Sequence, residues 1–114
     1  MISWIEDLQK SNKLKIVEGK KDLLALQSFG IKNIKKIDKP LYLFIEEIAS
    51  KYNEVIILTD LDRHGKKLYS ILRGSLQKRK VKVDNYFREY LYKNTRLTQI
   101  EGIRKYMEKL IVSE

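Results

Sequence analysis

Three carboxylates stand out by where they fall along the chain. Glu18 closes the apolar run Leu14-Lys15-Ile16-Val17, while Asp60 and Asp62 follow the longer run Val55-Ile56-Ile57-Leu58-Thr59. A glycine comes soon after each group, Gly19 and Gly65. If the two runs are neighbouring strands of a parallel sheet, the acids meet at the carboxyl edge, where ligands bind in such sheets. Like charges a few ångströms apart repel unless one takes a proton or a cation sits among them. An all-oxygen set open to water suits Mg²⁺ or Mn²⁺ better than zinc. The glycines would let backbone approach a phosphate. Taken singly, each acid also reads as a strand-end residue that caps the next helix.

The elements that must position these acids can be read from hydrophobic spacing. Ile2 to Ser11 fits a short amphipathic helix and Lys13 to Val17 a first strand. Lys20 to Phe29 has Leu23, Leu24, Ala25 and Leu26 at helical spacing, with Gly30 as its C-terminal cap. Asn33 to Ile37 is a weak second strand. Asp38 precedes Pro40 as an N-capping acid for a helix running to about Tyr52. Glu54 to Thr59 is continuously apolar after its first residue, the pattern of a parallel strand buried on both faces. A loop from Asp60 to Gly65 leads into a helix from Lys66 to Lys78. Val81 to Phe87 reads as a fourth strand, and Arg88 to Lys93 as irregular or a short helix. Thr98 caps a last helix to about Val112, with Glu101 completing a capping box. Strands alternating with helices define an α/β domain around a mostly parallel sheet of four strands.

Composition narrows the chemistry. The 114 residues fit one domain, 1–114, with enough apolar content to fold around one core. There is no cysteine and a single histidine, His64, which excludes disulfides, thiol catalysis and cages of several imidazoles. No apolar run reaches the length of a spanning helix, and the acids of the first ten residues are unlike a secretory signal, so a soluble cytoplasmic protein without membrane contact is expected. The net charge of +9 is unevenly spread: Arg63 to Lys105 holds 13 basic and 3 acidic residues, and the remainder is nearly neutral. That asymmetry gives the second half the footprint of a polyanion-binding surface, or else a lysine-rich solvated face. Tyr86, Arg88, Tyr90, Tyr92, Lys93 and Arg96 interleave rings with cations, a composition suited to stacking on unpaired bases and equally to packing on a core.

Rival motifs fail on spacing. Asp60-Leu61-Asp62-Arg63-His64-Gly65 begins like a calcium loop, but its twelfth position is Ile71, where a bidentate glutamate is needed. A haloacid-dehalogenase-type site needs Thr or Val where His64 stands. Gly65-Lys66-Lys67 lacks the frame of a phosphate-binding P-loop.

With Glu18-Gly19 after the first strand and Asp60-Leu61-Asp62, then Gly65, after the third, the chain resembles the Toprim domain over roughly residues 13 to 87. That domain is shared by type IA topoisomerases, gyrase subunits, bacterial-type primases, ribosomal-RNA maturation nucleases and OLD-family nucleases. The resemblance implies a single three-layer α/β/α domain. It implies Glu18 as general acid or base, Asp60 and Asp62 as ligands of Mg²⁺ or Mn²⁺, and a site in which all three acids serve both metal and catalysis. The stretch after Glu18 is most similar to the small maturation nucleases. Topoisomerases carry Arg-Glu-Gly-Glu after the second aspartate, whereas this chain has Arg63-His64-Gly65-Lys66. The expected function is Mg²⁺-dependent phosphodiester hydrolysis on RNA or DNA, or else nucleic-acid binding without cleavage. The expected contacts are Lys20, Arg63, Lys66, Arg73, Lys78, Arg79, Arg88, Tyr90, Tyr92, Lys93 and Arg96. His64 is expected exposed beside the acids. Lys21 and Lys67 also flank them, with Lys67 on a solvated helix face.

Overall fold

The structure, a computed structural model, describes residues 1–112. The chain runs α1 (Ile2–Lys10), β1 (Leu14–Val17), α2 (Lys20–Gln27), β2 (Ile34–Lys36), α3 (Leu41–Lys51), β3 (Glu54–Leu58), α4 (Arg63–Lys78), β4 (Lys82–Asp84), α5 (Tyr86–Asn94), a 3₁₀ turn (Ile100–Gly102) and α6 (Ile103–Val112). The four strands form one parallel sheet in the order β2-β1-β3-β4. From β1 the sheet grows one way to β2, and from β3 the other way to β4. The reversal lies between β1 and β3, the neighbouring strands that end at Glu18 and Asp60. Their register pairs Val17 with Leu58, so both carboxyl ends finish level.

Helices cover both faces. Phe44, Ile45 and Ile48 of α3 and Leu72 and Leu76 of α4 pack on Leu14, Ile16, Val55 and Ile57. On the other face α1, α2, α5 and α6 enclose Val17, Ile56 and Leu58, with Trp4 and Phe87 edge to face at 5.8 Å. Trp4 donates its indole N–H to the Phe87 carbonyl at 2.9 Å, so its one polar atom is satisfied inside the core. The residues of β3 from Val55 to Leu58 are fully buried, which is why their run shows no alternation. Each such side chain contributes about 1.5–3 kcal/mol of burial. Lys15 shares this interior. It runs its stem beneath the core and ends on the carbonyls of Ser11 (2.6 Å) and Lys32 (2.9 Å), and its burial lowers its pKa.

Several boundaries differ from those read in the sequence, each for a local reason. The fourth strand is Lys82–Asp84, not Val81 to Phe87. Val81 closes α4 instead: its N–H reaches the Leu76 carbonyl while Lys80, at φ 64, bonds Gln77, the double bond of a Schellman ending. At the far end Asp84 accepts the Tyr86 N–H at 3.1 Å, a turn that starts α5 where alternation suggested more strand. Helix α4 begins at Arg63, three residues before the expected Lys66, because Asp62 caps it. Asp38 does not cap α3, whose N-cap is Pro40. Thr98 does not cap the last helix. Its carbonyl accepts the Leu61 N–H, and a 3₁₀ turn intervenes before α6. The glycine ending of α2 is as expected, with Gly30 at φ 73.

Candidate active site at the carboxyl edge

The loop between β3 and α4 is held from several sides, and that clamping sets the acids in place. Thr59, fully buried, donates its hydroxyl to the Gly65 carbonyl at 2.8 Å. Leu61 is buried in the core, and its N–H reaches Thr98 at 2.8 Å. Arg88 donates through Nε to the Thr59 carbonyl (3.2 Å) and through Nη2 to the Asp60 carbonyl (2.8 Å), with its guanidinium 4.4 Å from the centre of the Tyr69 ring. Gly65 lies directly on the Asp60 backbone: a Cβ built there would stand 1.9 Å from the Asp60 carbonyl oxygen.

Glu18 Oε1 accepts the Asp60 N–H at 2.8 Å, which joins the ends of β1 and β3 through a side chain. Asp60 Oδ1 accepts the Ile100 N–H at 2.8 Å, and Asp62 Oδ1 accepts the Gly65 N–H at 2.8 Å. His64, exposed as expected, stands with Nε2 3.9 Å from Glu18 Oε2. Burial first, then the charges of Asp60 and Asp62, raise the pKa of Glu18 against the opposing pull of the Asp60 N–H and His64. Burial also raises Asp60, helped by Asp62 and Glu101.

Asp22 was not among the residues singled out from sequence. It is 7% exposed and accepts the Gly19 N–H at 3.2 Å. Its pKa is pushed up to about 6, chiefly by burial and then by the charge of Asp60, with smaller contributions from Glu18 and Glu101. The signal was present: Asp22 stands three residues into α2 behind Gly19, where an acid can return to the helix-start N–H. Because its folded pKa lies above the ordinary 3.8, the native state holds this proton more tightly than the unfolded chain. Stability therefore falls as pH rises between those two values, by at most about 3 kcal/mol. Asp22→Asn keeps an oxygen for Gly19 and removes the charge. In metal-free buffer its melting temperature should exceed that of wild type at pH 7.5 and match it below pH 4. An equal gap at both pH values would contradict the assignment.

The basic and aromatic residues divide into groups. Lys66, Arg73 and Tyr92 line one groove with Tyr69, and Lys66 Nζ stands 5.0 Å from the Tyr92 ring centre. Lys20 and Arg63 are exposed at the starts of α2 and α4, beside the acids. Lys93 and Arg96 are exposed at and beyond the end of α5, with Lys93 3.8 Å from Glu89. Lys78 and Arg79 close α4 at the opposite end of the sheet, and Arg79 is bound to Glu46 at 2.9 Å. Tyr90 packs against the core, its hydroxyl 3.3 Å from the N-terminal ammonium. Arg88, expected as a nucleic-acid contact, is buried. Its guanidinium holds the β3 loop through the carbonyls of Thr59 and Asp60.

Among the described residues, no three acidic or histidine side chains form a ready group to hold a metal ion. Each of the three acids gives one oxygen to a backbone N–H. The donor chemistry nevertheless fits Mg²⁺ or Mn²⁺. These ions keep several waters and are held through one or two carboxylates, and the repulsion by which Asp60 and Asp62 raise the pKa of Glu18 is one a cation would relieve.

A parallel sheet with an acid after β1 and an Asp-x-Asp after β3, level at the reversal of strand order, defines a Toprim domain, and the Toprim domain family matches residues 13–88. Relatives of the chain's own size are UPF0292 proteins. One from Methanocaldococcus jannaschii is 33% identical over 96% of this chain and 91% of its own length. One from Thermococcus gammatolerans is 35% identical over 99% of this chain and 88% of its own. A solved structure of a protein from Aquifex aeolicus superposes with a TM-score of 0.82 at 32% identity, covering 90% of this chain and 96% of that one. The chain belongs to the UPF0292 family of small Toprim-domain proteins. Toprim membership carries a metal-related role in nucleic-acid chemistry. Among the described residues no helix is long and apolar enough to cross a membrane.

Proposed function

We propose that this protein hydrolyses phosphodiester bonds in nucleic acid with Mg²⁺ or Mn²⁺, as an RNA-processing type of nuclease. The observation that carries the reading is Glu18 bonded to the Asp60 backbone, with Asp62 following on the same clamped loop. Asp60 and Asp62 would hold the ion, with Glu18 beside it. The bound ion would supply neutralisation of the phosphate and a more acidic water. Glu18 takes the proton of the attacking oxygen on its carboxylate. Burial keeps that carboxylate more basic than an ordinary glutamate, as a general base working near neutrality requires. Arg63, exposed at the start of α4, supplies positive charge for a phosphoryl oxygen.

The test is cleavage of structured RNA and of DNA by purified protein with and without Mg²⁺ or Mn²⁺, wild type against Asp60→Asn. Cutting that requires the metal and is lost in the variant supports hydrolysis. Cutting that survives Asp60→Asn points to a contaminant. A second reading, binding without cleavage, is favoured by the lack of a preformed three-ligand group among the described residues. Tight binding with no cutting by wild type would establish it.

A further inference from the structure

A groove of about 300 Å³ opens between α4 and α5, lined by Lys66, Tyr69, Ser70, Arg73, Arg88 and Tyr92 together with Glu89. Arg88 is shared with the acid edge: the guanidinium that forms part of the groove wall also holds the carbonyls of Thr59 and Asp60. Arg88 thus ties the groove wall to the loop that carries Asp60 and Asp62. Three of the groove's lining residues, Lys66, Arg73 and Arg88, are cationic, and its acid, Glu89, is attended by Lys93 at 3.8 Å. Tyr92 is 60% exposed, and its ring lies beside Lys66, with Nζ 5.0 Å from the ring centre. An exposed lysine over a ring is held weakly, whereas a nucleobase stacked on the same ring is held more strongly. A base arriving there would release Lys66 to a phosphate one step along the strand.

We propose that this groove takes one unpaired nucleotide next to the reacting phosphate, its base on Tyr92 and its phosphates on Lys66 and Arg73, so that the protein engages single-stranded nucleic acid. The inference rests on the hydrolytic reading for the meaning of the acid edge. The volume lies at the small end of ligand pockets, ~300–1,000 Å³, which suits a mononucleotide and not a duplex. A paired base keeps its faces inside the stack and cannot lie on Tyr92. RNA and DNA present the same ring and phosphate chemistry here, so both are probed.

The experiment is fluorescence anisotropy in EDTA, with a short fluorescein-labelled oligonucleotide as single-stranded RNA, single-stranded DNA and duplex. Tyr92→Ala should weaken single-strand binding about tenfold or more, leave duplex binding unchanged, and be rescued by Tyr92→Phe. Arg73→Ala should weaken binding and lower the slope of log affinity against log salt by about 1. Tyr42→Ala, exposed on α3 outside the groove, should change nothing. The proposal is overturned if Tyr92→Ala binds single strands as wild type does, or if wild type binds them no better than duplex. Because no metal is present, a protein that binds in this pattern but never cuts would refute hydrolysis and leave the groove standing. A protein that cuts while Tyr92→Ala binds normally would do the reverse.

Discussion

Gly65→Ala should be the most damaging single-methyl change in this protein. The added carbon would stand 1.9 Å from the Asp60 carbonyl oxygen and 2.4 Å from its carbon, both backbone atoms. A flexible side chain could swing away, but this carbonyl is fixed. Arg88 bonds it at 2.8 Å, and Thr59 ties the Gly65 carbonyl back to the same loop. Relief therefore requires separating the start of α4 from the end of β3, which breaks the Asp62 cap on the Gly65 N–H as well. The expected cost is about 3 kcal/mol or more, or roughly 10–20 °C of melting temperature for a domain near this size. Gly19→Ala is the matched control, since a Cβ there meets nothing within 4 Å. Thermal unfolding of both variants by circular dichroism reads the difference. Equal melting temperatures would show that the loop is not packed as described.

Glu18→Gln should lower the cleavage rate by about 10²–10⁴-fold, the range lost with a general acid or base, without unfolding the protein. Glutamine is isosteric and its amide oxygen can still accept the Asp60 N–H, so the link between β1 and β3 persists. What disappears is the basic oxygen. The pH profile separates this loss from a structural one. In wild type, burial and the charges of Asp60 and Asp62 raise the Glu18 pKa, so the rate should climb with pH through a value above the ordinary glutamate range and then level off. In Glu18→Gln that limb should vanish along with the rate. A variant that keeps the wild-type limb would assign the titration to another group, with Asp22 and Asp60 the nearest alternatives.

The sheet and its acids were readable because each rests on a strong local signal. Val55 to Leu58 is apolar without a break because both faces of β3 are covered, and the acids follow at once where the chain leaves the sheet. The placement of β1 beside β3 followed from parallel α/β topology, and Glu18 does reach Asp60. The α5 region was harder. Val81 and Val83 just before it alternate as strand residues do, and what turns the chain is the single Asp84 carboxylate on the Tyr86 N–H, an interaction without periodicity. Arg88 looked like its cationic neighbours, and only the tertiary fold shows that it faces two carbonyls across the sheet edge. Asp22 was hidden differently. In the sequence it is an ordinary first-turn helix acid, and its altered protonation arises from burial first and then from the carboxylates of Asp60, Glu18 and Glu101, all brought about by folding.

The central claim is that the carboxyl edge of β1 and β3 takes up a divalent ion. Calorimetric titration of Mn²⁺ into metal-free protein at neutral pH, in the absence of nucleic acid, tests it most directly. Saturable uptake by wild type, weakened at least about tenfold in Asp60→Asn, is the predicted result; each tenfold step corresponds to about 1.4 kcal/mol. Wild-type protein that takes up no Mn²⁺, or takes it up with undiminished affinity after Asp60→Asn and Asp62→Asn, would contradict the account.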